Sequence, residues 1–122
     1  MPIVDVRPVV TDAHELPAEA AQVLADAIAQ ALGARTGRVW VRLSELPKDK
    51  YAENGGAVAD HDLPVFVSVL LADWPRDDDK VQQAGELAAA VAASLGRHVE
   101  RVHIEYAPPG RGRVAFGGKL VV

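Results

Sequence analysis

The chain has 122 residues, 49% of them apolar and 25% charged, with a net charge of −4 and no cysteine. This composition excludes a disordered chain, a disulfide framework and thiolate chemistry, and the acidic balance argues against a general nucleic-acid binder. No apolar run approaches the roughly 18 residues of a membrane span, Asp5 interrupts any leader-like core, and the missing cysteines fit a cytoplasmic protein.

A chain of this length is expected to form one domain over residues 1–122. An internal repeat divides it into 1–60 and 61–122. Leu24 to Gly33 reads against Leu87 to Gly96 at an offset of 63, and the match continues to Arg38-Val39 and Arg101-Val102. Gly55-Gly56 answers Gly117-Gly118, and Pro2 answers Pro64, at an offset of 62.

Pro2 to Val10 is rich in branched residues and is expected as a strand. Pro17 suits the first turn of a helix. Its apolar face recurs at Ala20, Val23, Leu24, Ala27, Ile28, Ala31 and Leu32, and Gly33 supplies the stop. Val39, Val41 and Leu43 alternate with Trp40, Arg42 and Ser44 as a half-buried strand. Lys48 to Asp62 reads as a polar, flexible join, with a short hairpin at Asn54 to Gly56.

The second unit opens on an apolar strand, Val65 to Leu71, expected at the centre of a sheet. Asp77, Asp78 and Asp79 cap and charge the start of the next helix, whose apolar face carries Val81, Ala84, Leu87, Ala88, Val91 and Leu95. Val102, Ile104 and Tyr106 alternate with His103 and Glu105 in a last long strand, and Gly110 to Gly118 reads as a hairpin. A helix between two strands is the signature of a β-α-β crossover. The expected fold class is therefore α/β. Two tandem β-α-β units form a four-stranded, mainly parallel sheet with two helices on one face.

Few residues offer chemistry. Removal of Met1 before a small residue would expose a secondary amine at Pro2. Burial and neighbouring arginines would favour the uncharged amine, which could then move a proton or attack a carbonyl. Other motifs fail on context. Gly110 to Ala115 fits a dinucleotide fingerprint as a string, but no helix can follow it. Asp60-His61-Asp62 reads as a loop rather than a metal site, and His14 and His98 as isolated, exposed residues.

Met-Pro-Ile-Val opening a strand, the doubled unit and the absence of another nucleophile together resemble the tautomerase superfamily. That group includes 4-oxalocrotonate tautomerase, macrophage migration inhibitory factor and malonate semialdehyde decarboxylase. Ser44 to Tyr51 with Gly55-Gly56 is similar to the short tautomerases, and Arg101 to Tyr106 to the inhibitory-factor branch. Trp74-Pro75-Arg76 and the segment Gly110 to Phe116 are similar to the decarboxylase branch.

The resemblance implies a trimer and a keto–enol tautomerase of small 2-oxo or 2-hydroxyenoic acids, with no cofactor, metal, nucleic acid or membrane partner. It makes Pro2 the general base or acid and places His103 near the substrate oxygen. Arg76, Arg111 and Arg113 would hold a carboxylate, with Trp40, Tyr51, Glu105 and Phe116 lining the pocket. Trp40 stands where the short tautomerases have an arginine, and Trp74 where the decarboxylases have another. Arg38 and Ala115 fall where the decarboxylases and dehalogenases need acids, which weighs against those two chemistries. A ferredoxin-like binding module without catalysis is the alternative from another class, and it predicts an antiparallel sheet.

Overall fold

The computed structural model describes residues 2–12 and 15–122, so the expectations for Met1 and His14 lie outside it. Strand β1 (Ile3–Val10) leads through helix α1 (Ala20–Leu32) to β2 (Trp40–Leu43). Strand β4 (Val65–Leu70) leads through α2 (Asp77–Leu95) to β5 (Val102–Tyr106). Between the units, β3 (Leu46–Pro47) adds to the far end of β1. The sheet order is β2-β1-β4-β5, with β1 parallel to β2 and β4 parallel to β5. Each helix thus returns the chain beside the strand it left, the geometry of a β-α-β crossover.

The two units meet at β1 and β4, which run antiparallel over six residue pairs from Ile3↔Leu70 to Pro8↔Val65. The sheet is therefore mixed at its centre and parallel on both flanks. That pairing removes the ferredoxin-like alternative, in which the strands joined by a helix would not be parallel neighbours.

The β-alternation sorts the strands into two faces. Val4 and Val6 of β1, and Val65, Val67 and Val69 of β4, pack against Leu24 and Ile28 of α1 and Leu87 and Val91 of α2. All nine side chains are buried. Asp5, Arg7, Arg42, Phe66, His103 and Glu105 point to the other face, which no element among the described residues fully covers. Both helices stop at a glycine with positive φ, Gly33 at 63° and Gly96 at 65°, a conformation that costs other residues a clash at Cβ.

Several local expectations are corrected. The register pairs Ile3 with Trp40 and Phe66 with His103, so the repeat runs at an offset of 63 throughout and Pro2 corresponds to Val65, not Pro64. Pro17 heads a turn, its carbonyl accepting from Ala20 N–H at 3.1 Å, and α1 begins only after that turn. Asp77 to Asp79 lie inside the first turn of α2 and make no side-chain cap bond, so they act on the helix dipole alone. Val81 is 76% exposed, and burial on α2 is confined to Leu87, Ala88, Val91 and Ala92. The join is also tethered rather than loose: Lys48 pairs with Asp60, and Arg101 donates to Glu53 and to the Asp62 carbonyl.

Candidate functional site

The end of the sheet where β1 begins gathers the segments that follow α1, β4 and β5. Parallel pairing puts the start of β2 beside Ile3, so the α1–β2 loop lies against Pro2. The Pro2 ring is buried, and its carbonyl accepts the Trp40 N–H at 3.1 Å. Gly33 turns the chain out of α1, Ala34 N–H closes the last turn on Ala29 O at 2.9 Å, and a turn closes from Arg38 N–H to Arg35 O at 3.1 Å. A cavity at this point is lined by Pro2, Gly33, Ala34, Arg35 and Arg38. The exposed Arg35 and Arg38 therefore share a recess with the buried Pro2. The expected arginines did not include them. The signal was present, since the residues before β2 of any parallel β-α-β unit must lie beside the start of β1.

Trp40 and Phe116 meet here edge to face, with centroids 5.1 Å apart and planes at 73°, a favoured aromatic geometry. Phe116 arrives on the C-terminal hairpin, β6 (Ala115–Phe116) with β7 (Lys119–Leu120). Arg76 caps the start of α2 as an exposed side chain at the same end, but it does not line the Pro2 cavity.

The two C-terminal arginines are engaged by the chain itself. Arg111 grips Asp73 with Nε at 2.8 Å and Nη2 at 2.5 Å, and its Nη1 donates to the Val122 carbonyl. The hydrogen bonds from Arg111 hold the Asp73 carboxyl below its usual range against the opposing effect of desolvation. Arg113 donates to the carbonyls of Pro109 at 2.9 Å and Pro108 at 3.0 Å. Within the chain both side chains thus tie down the last segment. Arg111→Ala is accordingly expected to loosen residues 111–122, read as faster amide exchange there with little change in the helices.

Of the remaining expected residues, Tyr51 and His103 lie toward the opposite end of the sheet, and Glu105, level with Ser68 and so with Asp5, lies midway. His103 is level with Phe66 and Phe66 with Arg7, which is five residues along β1 from Pro2, or about 17 Å at strand rise. His103 packs on Phe66 at 5.6 Å, and Tyr51 approaches the same ring at 5.8 Å. His103 and Glu105 help line a recess of about 480 Å³ over the uncovered face, next to the Asp5–Arg42 pair, whose bonds measure 2.5 and 2.9 Å. Within one chain, then, Pro2, Trp40 and Phe116 are brought together, while Tyr51, His103 and Glu105 are not brought to them.

Tyr51 and Arg101 converge on one oxygen of Glu53. The bonds from Tyr51 and then Arg101 hold the Glu53 carboxyl below its usual range. Burial, followed by the bond to Glu53, pushes the Tyr51 hydroxyl up. Because the folded Glu53 value is depressed, its contribution to stability is complete above the ordinary carboxylate range and is lost as pH falls through the folded value. Glu53→Gln should therefore flatten the acid limb of stability below about pH 5. Urea midpoints at several pH values check this, and parallel acid limbs for both proteins would contradict it.

No protein-family model matches the chain, and no curated protein does. Among solved structures it is similar to F6, a wild-type fused 4-OT forming an asymmetric trimer, with 23% identity and a TM-score of 0.76, covering 98% of this chain and 95% of that one. Macrophage migration inhibitory factor from Oncomelania hupensis matches at 18% identity and a TM-score of 0.74, over 99% of this chain and 82% of that one. Pt0534, solved after inactivation by 2-oxo-3-pentynoate, matches at 17% identity and 0.73, over 98% and 94%. At these identities what is shared is the architecture, and the chain has the fold of these 4-OT and macrophage migration inhibitory factor structures.

Proposed function

We propose that the chain is a keto–enol tautomerase of small 2-oxo and 2-hydroxyenoic acids, acting through the amine of Pro2 once Met1 is removed. The observation that carries the reading is the buried Pro2 in a recess with Arg35 and Arg38. A guanidinium fork matches a carboxylate, and positive charge nearby disfavours the ammonium form of an amine. In ketonisation the enol O–H proton passes to the amine, the double bond shifts, and the ammonium returns the proton to carbon. Enolisation is the reverse. The Trp40–Phe116 pair would wall the substrate's apolar side, and Arg76 stands at the same end as a further cation.

The assembly belongs to the same proposal. The polar uncovered face and the separation of His103 from Pro2 both fit a homotrimer in which His103 and Glu105 reach the Pro2 recess of a neighbouring copy. The fused 4-OT neighbours F6 and Q0 are trimers. The C-terminal hairpin, Gly117 to Val122, would contact that neighbour. The absence of cysteine fits a cytoplasmic setting.

The test is direct. 2-Hydroxymuconate or phenylenolpyruvate should ketonise above the uncatalysed rate, and 2-oxo-3-pentynoate should add one equivalent of mass at Pro2, located by peptide mapping. No ketonisation and no label at Pro2 would sink the reading. Arg35→Ala with Arg38→Ala should raise KM for these acids by about 10–100-fold with a smaller effect on kcat, as loss of uniform carboxylate binding requires.

A further inference from the structure

The two ends of the sheet are built on one plan. The offset of 63 that carries Ile3↔Trp40 onto Phe66↔His103 also carries Gly33 onto Gly96 and Arg38 onto Arg101. It carries the hairpin pair Glu53↔Gly56 onto Phe116↔Lys119 as well. Arg101 is thus the counterpart of an arginine in the Pro2 recess, and Glu53 is the counterpart of the aromatic ring that meets Trp40.

At the far end one oxygen of Glu53 receives N–H from Arg101 Nη2 and O–H from Tyr51. Arg101 Nε is fixed on the Asp62 carbonyl at 2.6 Å. A guanidinium held in place and a phenol aimed at the same point form a donor set for one carboxylate. Glu53 also stands between two recesses, one bounded by Tyr51 and Leu63, the other by Asp62 and Arg101. We infer that the second half of the chain carries a carboxylate seat related by the repeat to the Pro2 end, filled from within by Glu53. When the Glu53 side chain is cut back, the far seat accepts a small free monocarboxylate.

The experiment removes the internal ligand and offers an external one. Glu53→Ala should unfold about 5 °C below the parent. Sodium acetate, titrated against sodium chloride at equal ionic strength and neutral pH, should raise that temperature along a saturating curve in the range of ~10–100 mM, as a ligand bound only to the folded form does. The parent chain and Glu53→Ala with Arg101→Met should give no such acetate-specific curve. If Glu53→Ala is unfolded in chloride, acetate should restore its native circular dichroism. A folded Glu53→Ala indifferent to acetate, an unfolded one that acetate does not restore, or an equal response in the double variant would each overturn the inference. None of these readouts involves Pro2 chemistry, so failure here is separate from failure of the tautomerase reading.

Discussion

Pro2→Ala is expected to lower kcat/KM for ketonisation by about 10²–10⁴-fold, the range supplied by a positioned general base or acid. The substitution keeps a backbone amine and the carbonyl that accepts the Trp40 N–H. It removes the ring that fixes the nitrogen in its buried position. A primary amine rotates about its Cα bond, so both its aim and its basicity change. Circular dichroism and thermal midpoint should be close to the parent, since Pro2 precedes the first sheet pairing at Ile3. Intact mass must show loss of Met1 in both proteins, because a retained methionine turns the amine into an amide. An unaltered rate in a processed Pro2→Ala protein would remove Pro2 from the chemistry.

Much of this architecture was legible from periodicity. Leu24, Ile28, Leu87 and Val91 recur at helical spacing and are buried in the structure. Val102, Ile104 and Tyr106 alternate with His103 and Glu105, and that alternation separates the core face of β5 from the uncovered one. The offset was misread where it rested on Pro2 and Pro64, because proline marks a strand start without fixing its register. Hydrogen bonding fixes the register, and it makes Pro2 the repeat counterpart of Val65.

The site was less legible, for a reason of distance. The resemblance to the decarboxylase branch pointed to Arg111 and Arg113, yet backbone carbonyls and Asp73 engage their donors, and a string of residues does not reveal such contacts. Arg35 and Arg38 were passed over although the parallel crossover puts their loop beside Pro2. Topology was the stronger guide here. His103 and Glu105 share the expected strand face, but that face opens away from the core, so one chain does not bring them to Pro2.

The largest stability effect is expected from the pair that the repeat relates, Leu24→Ala and Leu87→Ala. Both side chains are fully buried, one on each helix, against the same sheet. Truncating either removes about three methylene-sized groups from a packed core and leaves a void, at a cost of about 2–5 kcal/mol. A domain of this size is stable by only ~5–15 kcal/mol, so each variant forfeits a large share. The surroundings are alike by the repeat, and the two costs should agree within about 1 kcal/mol. Val81→Ala is the control: its side chain is 76% exposed on α2, and its effect should stay within about 0.5 kcal/mol. Urea unfolding supplies the measurement, with a lower midpoint and an unchanged m-value expected for both leucine variants. A Leu87→Ala midpoint no lower than that of Val81→Ala would mean that α2 does not seal the core. Strongly unequal leucine costs would show that the two halves, alike in backbone, bear their load differently.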